Sequence, residues 1–137
     1  MLYGIQKHLI DEVWDEVRPW IAAACKTSRG KFDENDIRIG LLTGEDQLWI
    51  WRTETAYAVG VTRITNYPRQ RVCQLRIVTG RNRSEWQVPC IETIERWAKA
   101  NGCDAMELQA RPGWWRGFLR GVLGYEMTHC YVEKALK

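Results

Sequence analysis

Apolar residues near the start of the chain recur at helical spacing. Ile10, Val13, Trp14, Val17, Ile21 and Ala24 form one stripe, with Asp11, Glu12, Asp15 and Glu16 on the other side. The pattern predicts an amphipathic helix over 10–25, which Pro19 is expected to kink or split in two. After the loop 27–31 a second, short helix is predicted. Asp33 is placed to cap it, Phe32 to staple onto Ile37, and Ile37, Leu41 and Leu42 to meet the core before Gly44 ends it. On this reading two helices precede any sheet.

The period then changes to two. Residues 47–53, 56–65 and 71–78 are rich in Val, Ile, Thr and aromatics, and short polar turns join them, which predicts an antiparallel meander. Ile91, Ile94, Trp97 and Ala98 predict a third helix that Asn101-Gly102 stops, while Pro89 leaves its first turn open. A short strand over 105–111, a helix over 112–124 and a closing strand over 125–136 follow. A strand, helix, strand crossing makes part of the sheet parallel. The expected fold class is α/β: one domain over 1–137, with a mixed, mostly antiparallel sheet centred on 71–78 and 105–111 and about four helices around it.

At 137 residues and 45% hydrophobic, the chain supports one core. No apolar run approaches the roughly 20 residues of a membrane span, so no membrane partner is expected. Twenty Lys plus Arg against seventeen Asp plus Glu give +3, too small a bias to specify nucleic acid. No acidic residue lies between Glu54 and Glu85, however, while Arg63, Arg69, Arg71, Arg76, Arg81 and Arg83 do. If they cluster, they make one face electropositive. A solvated or partner-facing surface is the favoured reading, an anionic cofactor or substrate comes next, and nucleic acid last.

Cys25, Cys73, Cys90, Cys103 and Cys130 contain no C-x-x-C pair, and an odd number cannot all pair within one chain. Neither a zinc site nor a disulfide framework is expected, and no metal ligands are assigned. The opening MLYGIQKH lacks the apolar core of a secretory signal, which points to a reducing, cytoplasmic setting. A cysteine nucleophile needs a nearby base. Only His8 and His129 are available, so cysteine catalysis is not expected.

The order of elements resembles the Gcn5-related N-acetyltransferase (GNAT) superfamily. The stretch IERWAKANGCDAMELQARPGWWRGFLRGVLGYEMTHCYVEKAL carries most of the match, with Gly124-Tyr125 standing where the family has Gly-Phe. VRPWIAAAC, DIRIGLLTGEDQLWIW, ITNYPRQRVCQL, WAKANGCDAMEL and ARPGWWR resemble the small GNAT-like proteins encoded by tailed bacteriophages. In active members an R/Q-x-x-G-x-G/A loop between the fourth strand and the third helix cradles the pyrophosphate of acyl-CoA on backbone amides.

The resemblance places Val78, Arg81, Arg83, Ser84 and Trp86 at that acyl-CoA site. Ser84 and Trp86 fill both glycine positions. Trp86 sets an indole where backbone should meet phosphate, and Glu85 adds a like charge. Arg81 and Arg83 can still meet phosphate through their side chains. Active relatives often carry a tyrosine in the last helix that protonates the departing thiolate. Counting back from Gly124-Tyr125 puts Leu119, Arg120, Arg116 and Gly113 on that motif, with Arg120 at the tyrosine. Arginine does not deprotonate in proteins and cannot be that acid. Relatives also end in a two-strand hairpin. The shorter tail here is expected to lack its last strand, leaving an edge for a partner to fill.

Acyl transfer to an amine needs a base. Glu54, Glu85, Glu107 and His129 lie near predicted strand ends, no motif selects among them, and each reads first as a solvated or paired surface group. Tyr67 either covers the sheet edge, the favoured reading, or lines an acceptor pocket. Trp49 and Trp51 share a strand face and read as core or interface. Trp114 and Trp115, about 100° apart on an α-helix, cannot both point inward, so one is expected to be exposed. With Arg116 and Arg120 they form a candidate interface for other proteins, phage structural proteins or a second copy of the chain. Packing under a loop and stacking on a ligand are the alternatives.

The resemblance with its filled loop and missing tyrosine implies a non-catalytic structural or assembly component of a phage virion, made in the cytoplasm of the bacterial host. The alternative is an active acetyl-CoA-dependent N-acetyltransferase, in which main-chain amides of 81–86 hold the pyrophosphate and a strand-end carboxylate is the base. A host-directed modulator is a third reading. An open splay between 71–78 and 105–111 favours the enzyme, and the same cleft plugged by Trp86 favours the binding protein.

Overall fold

The predicted meander forms the centre of a five-stranded sheet of order β1-β2-β3-β4-β5. A computed structural model describes residues 1–110 and 112–136. The strands are β1 (Leu2–Ile5), β2 (Asp46–Arg52), β3 (Tyr57–Tyr67), β4 (Gln70–Arg81) and β5 (Ala105–Glu107). β1 to β4 pair antiparallel, and β5 pairs with β4 in parallel. The helices are α1 (Ile10–Cys25), α2 (Glu34–Thr43), α3 (Arg83–Ala100) and α4 (Pro112–Trp114), the last continued by a π turn over Trp115–Leu119. The architecture is the expected α/β one, a mixed, mostly antiparallel sheet with four helices.

Two apolar layers hold it together. Leu48, Ile50, Val59, Val61 and Ile77 pack with Ile10, Val17, Ile21, Ile37 and Leu41 from α1 and α2. On the opposite face Trp49, Cys73 and Leu75 meet Ile91, Ile94 and Ala98 of α3 and Phe118 and Leu119 of the π turn. α2 starts as its sequence requires. The Asp33 carboxylate accepts from the amides of Asn35 and Asp36, Asp36 accepts from the Asp33 amide, and Gly44 closes the helix at φ +83°.

Leu75 and Ile77 belong to opposite layers although two positions apart, so one residue between them must break the alternation. The register shows it. Val61 pairs with Ile77 and Thr62 with Leu75, which leaves Arg76 unopposed in a β-bulge. The Arg76 guanidinium donates to Asp46 Oδ2 at 2.9 Å, and Arg63 Nε donates to Asp46 Oδ1 at 2.6 Å. The Asp46 side chain is fully buried. It lies against α2 so closely that a Cβ on Gly40 would stand 2.4 Å from Oδ2.

Several expectations are corrected. β1 precedes the helices. As a four-residue edge strand it carries little alternation of its own, and its place comes from pairing with β2, Leu2 opposite Trp51 and Ile5 opposite Leu48. Pro19 does not split α1, because it and Asp15, whose carbonyl it leaves without an intrahelical partner, both lie on the exposed side of the helix. α3 starts at Arg83 and runs through Pro89. The strand expected over 105–111 shrinks to Ala105–Glu107, and Arg111 lies outside the described residues. No closing strand forms over 125–136. The arginines do not make one basic face. Arg63 and Arg76 are spent on Asp46, and Arg71 donates to the Asn101 carbonyl and Asn66 Oδ1. Arg81 and Arg83 lie over the rings of Tyr57 and Trp114.

Removing the buried carboxylate leaves Arg76 without its anion and Arg63 with only the exposed Glu45 at 3.3 Å, so Asp46→Ala is expected to cost about 3 kcal/mol in urea unfolding. A loss below about 1 kcal/mol would show that the bulge holds without this clamp.

Candidate active site

β5 accompanies β4 only from Val72↔Ala105 through Cys73↔Met106 to Gln74↔Glu107. β4 continues past the Arg76 bulge to Arg81 with no strand beside it on that edge among the described residues. The strands therefore part at Gln74 and Glu107. At the far end of β4, Asn82 takes the left-handed conformation, φ +57°, and turns the chain into α3. Its Nδ2 donates to the Thr55 carbonyl at 3.4 Å, and its own carbonyl accepts from the Glu85 amide at 3.1 Å. The amides of Arg83 and Ser84 have no acceptor among the described residues, so the positive end of α3 faces outward.

The expected acyl-CoA residues are distributed around this turn. Val78 is half-buried beside Ala58, Trp86 and Cys90. Arg81 and Arg83 are exposed, and the Ser84 hydroxyl donates to Asn82 Oδ1. Trp86 is not on the loop surface. Only 1% exposed, it packs with Ala56, Ala58 and Cys90, and its indole N–H donates to the Arg81 carbonyl at 3.0 Å. Residues 86, 90 and 94 share the buried face of α3 at helical spacing, which carries the ring inward and lifts the steric objection to a phosphate. Glu85 is also turned away. The hydroxyls of Thr53 (2.6 Å) and Thr55 donate to its carboxylate, which the Trp51 indole also approaches, and these bonds, Thr53 first, hold its pKa below the ordinary value.

Neither Trp114 nor Trp115 is fully exposed. Trp114 stacks on Phe118, ring centroids 6.2 Å apart, and the Trp115 indole donates to the Tyr125 carbonyl at 3.2 Å. The wider π turn, with the Arg120 amide reaching the Trp115 carbonyl, lets both rings rest on the α3 layer where an α-helix would expose one. Arg116 and Arg120 are exposed, and the Arg120 guanidinium lies 5.6 Å from the Trp115 ring. These indoles spend much of their surface within the chain.

Among the titratable candidates, the fold brings Glu107 to the vertex. Its Oε1 accepts from the Tyr67 hydroxyl at 2.9 Å and from the Gln74 amide, while Oε2 has no partner among the described residues. Cys73 and Leu75 face α3, so Gln74 and its partner Glu107 face the α1 and α2 side. Tyr67, its hydroxyl pKa raised by donating to Glu107, belongs to this cluster as well as to the sheet edge. Glu54 is exposed in the β2–β3 turn, and His129 is exposed beside the Thr128 hydroxyl. Burial pushes the Cys25 thiol up to about 11 and those of Cys73 and Cys90 up to about 12, away from nucleophile chemistry. An open hollow of about 560 Å³ lies elsewhere, between the end of α3, β5 and Gly124–Thr128. Among the described residues no His, Cys, Asp and Glu cluster could hold a metal ion, and no helix is long and apolar enough to cross a membrane.

Glu85 gives this turn a pH dependence. Its folded pKa lies below the unfolded value near 4.5, so its contribution is complete above that value and is lost as pH falls through the folded pKa. In acid titrations followed by urea unfolding, wild type is expected to lose its advantage over Glu85→Gln below about pH 4.5. An advantage unchanged at pH 3 would show that the two threonines do not select the charged form.

No protein-family model matches the chain, and no curated protein matches it. Solved structures do. A probable acetyltransferase aligns over 100% of this chain and 97% of its own at TM-score 0.69 and 9% identity. Ribosomal-protein-alanine N-acetyltransferase from Brucella melitensis biovar Abortus 2308 aligns over 98% and 99% at 0.71 and 12%. Aminoglycoside N-acetyltransferase AAC(6')-Iy, in complex with CoA, aligns over 100% and 94% at 0.67 and 15%. These neighbours are acetyltransferases, which overturns the expectation of a non-catalytic virion component, and the inward Trp86 removes one ground on which it stood. With four antiparallel strands, a parallel fifth that parts from the fourth, and α3 springing from the end of β4, the chain has the fold of the GNAT acyl-CoA N-acetyltransferases.

Proposed function

We propose that the chain is an acetyl-CoA-dependent N-acyltransferase that acts on an amine. The observation that carries the reading is the parting of β4 from β5, with Glu107 at its vertex and the outward amides of Arg83 and Ser84 at the end of β4. A tailed bacteriophage as the source, and the cytoplasm of its bacterial host as the place of action, belong to this proposal and rest on the sequence phrases alone.

The donor set at the end of β4 suits a diphosphate. Two main-chain amides at a helix N-terminus, the Ser84 hydroxyl and the guanidinium groups of Arg81 and Arg83 supply hydrogen bonds and positive charge without a glycine. Acyl-CoA held there supplies a thioester carbonyl as the electrophile. Arg83 then exchanges its contact with the Trp114 ring for phosphate oxygen. The acceptor, an ammonium with a pKa near 10.4 in water, first pairs with the Glu107 carboxylate, which relays one proton to solvent water and leaves a neutral amine with a free lone pair. As the C–N bond forms the amine becomes acidic, Oε2 takes its proton, and Tyr67 and Gln74 hold Oε1 fixed. The C–S bond breaks, and the sulfur leaves as a thiolate that recovers a proton from water. A thiolate is a far better leaving group than an alkoxide or an amide anion, so the absence of a tyrosine at Arg120 does not block the reaction.

Glu107→Gln is expected to lower kcat about 100-fold while leaving acetyl-CoA binding unchanged in calorimetry. Arg83→Ala is expected to weaken that binding about tenfold. A native chain that binds neither acetyl-CoA nor CoA at millimolar concentration overturns the proposal.

A further inference from the structure

Residues 126–136 form neither helix nor strand, yet they are tied to a distant loop. Glu133 Oε1 accepts from Arg29 Nε at 2.7 Å, Oε2 accepts from the Lys31 ammonium, and that ammonium lies 5.4 Å from the centroid of the Tyr131 ring. Both cations belong to the segment between α1 and α2. Arg29 stands there at φ +59°, a conformation rare for a residue with a side chain, followed by Gly30 at φ +85°. The next residue after Lys31, Phe32, lays its ring 5.0 Å from the guanidinium of Arg76, the bulged residue beside the β4–β5 vertex. The carboxylate of the tail is thus held by the loop whose Phe32 packs on the side of the sheet that Glu107 faces.

Among the described residues little else fastens the tail. Tyr131 is 64% exposed and Val132 88% exposed, so the hold is made by the ends of Tyr131 and Glu133. Residues two apart in an extended segment project to the same side, which is how this pair reaches one loop. Exposed ion pairs are worth only a few-fold each, and a competing carboxylate can displace them.

We propose that Arg29 and Lys31 are a carboxylate-recognition site for the acceptor, an acidic peptide, and that Tyr131-Val132-Glu133 occupies it as a built-in pseudosubstrate. The inference rests on the acyltransferase reading for the acceptor's role. A peptide with an aromatic residue two positions before a carboxylate reproduces the contacts of the tail and is held on the side of the sheet that Glu107 faces.

The test uses the full chain and a fluorescein-labelled peptide of sequence Gly-Tyr-Val-Glu-Lys-Ala, read by anisotropy. Glu133→Gln, which frees the site, is expected to bind this peptide roughly fivefold more tightly than wild type, the fold-change that two exposed ion pairs carry. Adding Arg29→Gln and Lys31→Gln to that variant is expected to abolish the gain, and a Tyr-Val-Gln peptide is expected to bind Glu133→Gln roughly fivefold more weakly than the Glu peptide. Equal binding to wild type and Glu133→Gln, or equal binding of the Glu and Gln peptides, overturns the proposal. Peptide binding needs no acyl-CoA. A chain that gains peptide affinity but binds no CoA keeps the carboxylate site and loses the acyltransferase reading, and the opposite pair of results does the reverse.

Discussion

The Asp46 carboxylate between Arg63 and Arg76 is the constraint on which the rest depends. A fully buried acid is tolerated only with its charge answered, and here the answer comes from β3 and from the bulged residue of β4. Answering it fixes where β4 carries its extra residue. That position decides that Leu75 packs under α3 while Ile77 packs under α1 and α2. It also places the bulge just beyond the last β5 pair, so the buried charge anchors β4 at the point where its pairing with β5 ends.

Most elements were legible in the chain because their signals are local. The stripe from Ile10 to Ala24, the Asp33 cap and the Gly44 stop act within a few residues, and the structure keeps all of them. Where the reading departed, a partner distant in sequence decided. Leu2–Ile5 is a strand because β2 offers an edge. The first turns of α3 extend through Pro89 because Trp86 and Cys90 find a buried face. The tail has strand-like composition and no strand, since composition cannot supply a neighbour with which to pair.

The candidate site was legible only in part. The turn over 81–86 was located, but the direction of the Trp86 side chain was not, since it depends on where helix α3 begins. Glu107 could not be told from Glu54 or Glu85 by composition. What distinguishes it is a parallel pairing that brings Gln74 and the Tyr67 hydroxyl to one of its oxygens. Glu85, by contrast, is neutralised as a candidate by hydroxyls in a turn far from it in sequence.

The brevity of β5 sets an order of events for the molecule as it folds. β2, β3 and β4 pair through short turns, so their contacts are local and close early. β5 meets β4 only after α3 has formed and folded back, and then over three residue pairs. A seam that closes late and over so few pairs opens readily in sub-global fluctuations. The vertex that carries Glu107 therefore sits on the shortest join of the sheet, where the strands can separate while the layers on either face stay packed.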